Sequence, residues 1–254
     1  MLRSTYIHCP GIGQVTERRL WASGALTWAD VLRSPDALPV GPHVRRALSE
    51  VVAESALRLD SHDARWFAAR LPAREHWRAF REFRGRVAYL DIETTGGTRA
   101  SDLTVVGVYD GLRIRQFVRG DNLDEFPAVI ETKDLLVTFF GSGFDLPFLR
   151  NAFGIEFPHL HIDLCHVLRR LGHRGGLKAV EGQFGIQRPL RVRGLDGFEA
   201  VRLWWQWANA ADDRALETLL LYNAEDVVNL ETLLDAAYPR LLAHAGLPES
   251  VPAG

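Results

Sequence analysis

Five side chains in this sequence could act together on a cation: Asp91, Glu93, Asp145, Tyr222 and Asp226. Asp91-Ile92-Glu93 ends a short apolar run, Val87-Ala88-Tyr89-Leu90. Strand alternation turns positions two apart to the same face, so both carboxylates point one way. Two like charges ~4 Å apart at an effective dielectric near 20 repel by about 4 kcal/mol, so such a pair needs a cation or open solvent. Asp145 follows a second apolar run, Leu135 to Phe140, in Gly141-Ser142-Gly143-Phe144-Asp145-Leu146-Pro147. It suits the N-terminal end of a helix with Pro147 in its first turn, and a capping role alone would explain it. Tyr222 and Asp226 stand four apart in a helical stretch, which puts a phenol and a carboxylate on one face. A buried tyrosine beside a surface acid has the same spacing.

These groups need elements to hold them. Leu103–Tyr109, Asp110-Gly111 and 112–118 read as a β-hairpin. His159–Asp163 reads as a shorter strand. Residues 211–235 carry a helical apolar stripe through Leu216, Leu219, Leu220, Val227, Leu230 and Leu234. The Gly-, Pro- and Arg-rich segment 187–197 reads as a loop. Three β-runs followed by alternating helices and strands predict an α/β domain with a mixed sheet over 85–245. Residues 1–84 read as a small all-helical domain. Thr27-Trp28-Ala29-Asp30 resembles a capping box, and Arg74, Arg78 and Arg81 share one helix face.

The chain has 254 residues, 47% hydrophobic and 24% charged, which excludes disordered and fibrous classes. No apolar run approaches the ~20 residues of a membrane span, and residues 1–6 lack a signal-peptide core. Cys9 and Cys165 cannot build a disulfide framework, so the expected compartment is the reducing cytoplasm. The net charge of −2 requires any nucleic-acid contact to use a local basic region.

Taken in order, the motifs resemble the ribonuclease-H-like DEDD exonuclease superfamily, and within it the tyrosine subclass. Asp91-Ile92-Glu93-Thr94-Thr95-Gly96 matches its Asp-x-Glu strand, Phe144-Asp145 its aromatic-Asp motif, and Tyr222 with Asp226 its Tyr-x-x-x-Asp helix. The likeness spans roughly 85–240. The asparagine that relatives often carry before the aromatic-Asp is replaced by Phe140 or Gly141. The resemblance implies a ribonuclease-H-like five-stranded mixed sheet and metal-dependent 3′→5′ hydrolysis of DNA or RNA. It further implies two Mg²⁺ or Mn²⁺ ions held by Asp91, Glu93, Asp145 and Asp226, with Tyr222 orienting the attacking water. Thr94, Phe148, Lys178, Arg188, Arg191 and Arg193 would contact substrate. The expected partner is a single-stranded nucleic-acid end, bound by a monomer. The rival readings are an inactive nucleic-acid-binding module and an endonuclease of the same superfamily.

Between Cys165 and Leu195 seven basic residues face one acid, Glu181. This is either a solvated face or a phosphate-tracking surface. Gly175-Gly176-Leu177-Lys178 could open a helix toward a phosphate. His161, Asp163, Cys165, His166 and His173 fit no zinc spacing. Trp204, Trp205 and Trp207 could stack bases or pack a core. Pro10-Gly11-Ile12-Gly13 within 5–33 resembles half of a helix-hairpin-helix, or a tight turn in a helical domain.

Overall fold

The structure is a computed structural model and describes residues 1–248. In chain order the helices are α1 (Gln14–Ala22), α2 (Trp28–Arg33), α3 (Pro42–Asp60), α4 (Ala64–Arg70) and α5 (Phe80–Phe83). Then come β1 (Val87–Thr94), β2 (Leu103–Tyr109), β3 (Ile114–Val118), α6 (Phe126–Glu131), β4 (Leu135–Thr138), α7 (Asp145–Phe153) and β5 (Leu160–Asp163). α8 (Leu164–Arg170), α9 (Leu177–Gln183), α10 (Gly197–Ala210) and α11 (Asp213–Ala245) follow. Backbone contacts cluster into two units. One holds Met1–Gly85, Pro158–His161 and the described residues from Tyr238 on; the other holds Arg86–Phe157 and Ile162–Ala237.

The first unit is helical. Thr27 and Asp30 form the capping box with Asp in the glutamate place, the Thr27 N–H reaching Asp30 Oδ2 at 2.8 Å. The turn around Gly11 is not flanked by two α-helices. Only a three-residue 3-10 helix, Leu2–Ser4, precedes it, and α1 begins at Gln14. Ala73–Ala79 is 3-10 helix, and its Arg78 is buried instead of lying on a charged face.

The sheet order is β3-β2-β1-β4-β5, with β1 antiparallel to β2 and parallel to β4. It is a mixed five-stranded sheet flanked by helices, as the α/β pattern predicts. The β2–β3 turn forms because Asp110 Oδ1 accepts the N–H groups of Leu112 and Arg113, while Gly111 takes φ +91°. On one face, Leu90, Ile92, Val106 and Leu136 pack with Leu146 and Leu149 of α7. On the other, Val105 and Val118 pack with Trp204, Leu219 and Tyr222 of α10 and α11. The apolar run after β4 stops being strand at Thr138. Phe140 adopts φ +65°, and its N–H and that of Ser142 are taken by Asp163 at 2.8 and 3.1 Å. That side-chain bridge bends the chain off the sheet and aims it at Asp145. Among the described residues no helix is long and apolar enough to cross a membrane.

Candidate metal centre

Strand alternation divides β1 chemically. Leu90 and Ile92 enter the α7-side core, so Asp91 and Glu93 face α11. β4 pairs only with Val87–Tyr89; beyond that point Asp145 takes over, its Oδ1 accepting the Ile92 N–H at 3.2 Å. From α11, Asp226 joins Asp91 and Glu93, and one oxygen from each of the three lies within 4.8 Å of the others. Asp145 stands outside that trio but is tied to the strand residue between its two acids.

The approach of α11 depends on a missing side chain. Gly107 of β2 pairs with Asp91, and a Cβ there would lie 2.1 Å from Asn223 Oδ1. Asn223 is fully buried and donates to Asp91 Oδ2 at 3.2 Å. Its own oxygen accepts from Gln116 at 3.1 Å, which fixes which way the amide points. Nothing local in the sequence marks Asn223, although the lone Gly107 inside a β-run signals a close approach.

The carboxylates carry more negative charge than the surroundings cancel. Burial first, then Asp226, Asp145 and Glu93, hold the Asp91 carboxyl well above the usual range. Burial and Asp226 do the same to Glu93. Burial pushes Asp145 up to about 7, against the hydrogen bond from Ile92. Burial raises Asp226 as well, although Arg188 and Lys178 oppose it. Glu93 Oε1 is buried and accepts no hydrogen bond. An orphaned buried oxygen among crowded carboxylates is the donor set a hard divalent cation takes.

Tyr222 shares the α11 face with Asp226. Its hydroxyl accepts a 2.5 Å hydrogen bond from Lys178 Nζ, which also lies 4.3 Å from the ring centre. Burial and then Asp226, Glu93 and Asp91 push the phenol far upward, so it stays protonated. A 270 Å³ cleft is lined by Asp91, Glu93, Thr94, Lys178, Tyr222 and Asp226.

Several expected substrate contacts sit elsewhere. Phe148 lies in the α7-side core, 7% exposed, because α7 turns that position toward the sheet. Arg188 is also 7% exposed and ion-paired to Glu181 and Asp226, and with Lys178 and Arg193 it lines a separate 580 Å³ pocket. Arg191 is exposed but bonded to Glu217 and Thr218 of α11. Arg193 is exposed and donates to the Arg188 carbonyl. These three arginines staple the 187–197 loop, which a linear charge count reads as a surface. Gly176 does open α9, with Gly175 at φ +119°. Trp204 is buried with Trp207 against it, while Trp205 is half exposed. Among the described residues, Asp91, Glu93 and Asp226 are the one His/Cys/Asp/Glu group with metal-ligand geometry. Asp163 instead caps α8 and holds the loop before Asp145.

No curated protein matches the chain significantly. A family model described as RNase_H superfamily matches residues 88–238, more than half of the sequence and the whole span from β1 to the body of α11. The match supports a nuclease-type fold, and RNase H-like nucleases usually use divalent metals, which agrees with the carboxylate trio built on β1 and α11. The chain belongs to the RNase H superfamily.

Proposed function

We propose that this protein is a 3′→5′ exonuclease of the tyrosine subclass, removing nucleotides from a single-stranded DNA or RNA end as a monomer in the reducing cytoplasm. The observation that carries the reading is Tyr222: a protonated phenol on the Asp226 face of α11, lining the carboxylate cleft. Asp91, Glu93 and Asp226 would hold a pair of Mg²⁺ or Mn²⁺ ions, with Asp145 completing the set beside β1. When bound, the ions supply an acidified water and neutralise charge on the scissile phosphate.

The chain's own groups do the remaining work. Lys178 donates to the Tyr222 oxygen, which leaves the phenol proton to hydrogen-bond an acceptor in the cleft. The tyrosine therefore orients the attacking water as a donor and takes no proton. The Lys178 charge stands next to Asp226, at 3.8 Å, where an incoming phosphate would meet it. Thr94 lines the same cleft at the β1 bulge.

The test is digestion of 3′- and 5′-labelled DNA and RNA strands with Mn²⁺, with Asp91→Asn as control. Early release of the 3′ label and an inactive Asp91→Asn support the reading. Cleavage of circular single strands would make the enzyme an endonuclease, and intact strands in every arm would make it a binding module.

A further inference from the structure

The mechanism above leaves one buried ion pair unused. Arg188, in the loop after α9, donates from Nε to Glu181 Oε2 at 2.7 Å and from Nη2 to Glu181 Oε1 at 2.5 Å. The same Nη2 also donates to Asp226 Oδ1. Glu181 is steadied by Asn229, whose Nδ2 reaches its Oε1 at 3.1 Å. Asn229 stands one turn beyond Asp226 on α11, so that helix grips both members of the pair. The loop backbone is fixed in turn by Arg193, which donates to the Arg188 carbonyl. Glu181 is 2% and Arg188 7% exposed. Such burial is costly for either charge alone, and two-point contact with a carboxylate is the geometry that a guanidinium matches best.

We propose that the Glu181–Arg188 pair is a positioning device for Asp226: a neutral unit that pins Oδ1 and leaves the second carboxylate oxygen to face the cation site. The inference rests on the reading of Asp91, Glu93 and Asp226 as a metal centre. Arg188 is a hydrogen-bond anchor whose charge is cancelled by Glu181. It therefore holds the ligand without repelling the cations that the ligand must bind. A lone arginine at this place would compete with them, and a lone glutamate would add a further uncompensated acid. Arg188 does not touch the strand in this account. Its position in a basic run is incidental to its role.

The two halves of the pair make opposite predictions, which simple structural damage does not. The probe is Mn²⁺ alone, titrated by calorimetry into the full chain. Glu181→Gln leaves the arginine charge uncancelled and weakens Mn²⁺ binding by roughly tenfold or more. Arg188→Met leaves an extra negative charge and tightens Mn²⁺ binding by a similar factor. Both lower kcat, because Arg188→Met removes the anchor on Asp226 and Glu181→Gln loosens the grip that fixes that anchor. The double variant Glu181→Gln/Arg188→Met removes both charges and keeps the fold free of an unpaired buried ion. Its Mn²⁺ affinity returns close to wild type while its kcat stays low. The salt dependence of strand binding is the same in Arg188→Met as in wild type.

Weakened Mn²⁺ binding in both single variants, or affinity unmoved in both, overturns the inference while leaving the metal centre standing. A flattened salt slope in Arg188→Met overturns it in favour of a phosphate contact. Failure of the wild type to bind Mn²⁺ overturns the metal centre and this inference together.

Discussion

Each unit of the chain buries charge, and the two do so in opposite ways. In the helical unit, Glu17, Glu75 and Arg78 are each about 1% exposed. Arg78 donates to Glu17 at 2.9 Å and to Glu75 at 2.8 Å. Glu17 also accepts the Tyr6 N–H, and Glu75 accepts from Trp77 and Gln14. Both carboxylates of this cluster have donors on each oxygen, and the cluster welds segments far apart in sequence. In the sheet unit, Asp91, Glu93, Asp145, Asp226 and Glu181 face two cations, Lys178 and Arg188, and Glu93 Oε1 has no donor at all. A satisfied network is a structural joint. A network left short of positive charge, on strands and helices rigid enough to keep it so, is a receptor for cations. The contrast also explains why burial alone does not identify a site: the arginine-centred cluster is the more buried, and it offers nothing to a ligand.

The largest expected effect separates chemistry from packing. Tyr222→Phe removes only the hydroxyl and should lower kcat by ~10²–10⁴ while metal affinity and melting temperature barely move. An unchanged kcat would make Tyr222 a core residue of the α11 face. Next, Arg78→Met strands two buried carboxylates and should destabilise the protein by about 3–5 kcal/mol in denaturant unfolding. Mn²⁺ affinity of the folded variant should stay at the wild-type value. Loss of metal binding in a folded Arg78→Met protein would break the division of roles.

Acid and base should then act with opposite sign on Asp145 of the sheet unit and on His8 of the helical unit. A carboxyl raised to about 7 keeps its proton in the metal-free folded state where the unfolded chain has lost it, so stability falls as pH rises. Between pH 4 and 8 the metal-free wild type should lose stability relative to Asp145→Asn by on the order of 4 kcal/mol, and Mg²⁺ should suppress that loss. The helical unit has the opposite sign through His8, which burial lowers to about 4. Ser55 Oγ donates to the Val51 carbonyl, so His8 Nε2 must be the donor to Ser55, at 2.8 Å. Its Nδ1 is buried with no partner. The unfolded chain protonates this histidine below about 6.5 and the folded one does not, so stability falls with acid, by about 3 kcal/mol between pH 6.5 and 4. His8→Gln should flatten that limb of a melting-temperature profile, and an unaltered limb would refute the assignment.

Much of this was legible in the residues themselves. The hairpin at Asp110-Gly111, the alternation around Asp91-Ile92-Glu93 and the i,i+4 pairing of Tyr222 with Asp226 are local patterns, and local geometry determines them. What was not legible depends on partners distant in sequence. The run from Cys165 to Leu195 looks like a basic surface because composition cannot show that Glu181 and Asp226 wait for Arg188. Phe140 reads as the end of a strand because its bend is imposed by Asp163, twenty-three positions later. Asn223 carries no local signal because its meaning lies in Gly107, far away on strand β2. Phe148 sits one turn beyond Asp145 on α7, yet its ring goes into the core against the sheet, which the local sequence does not show.

The central claim is that the β1–α11 carboxylates are held in a fold that favours a bound cation over none. Thermal unfolding of wild type and Asp91→Asn, each metal-free and with saturating Mn²⁺, tests it most directly. Wild type should gain stability, about 2.7 kcal/mol at a hundredfold excess over its dissociation constant. Asp91→Asn should start more stable without metal, since one buried repulsion is gone, and gain almost nothing when Mn²⁺ is added. A wild type indifferent to Mn²⁺, or an Asp91→Asn variant stabilised as fully as wild type, would contradict the account.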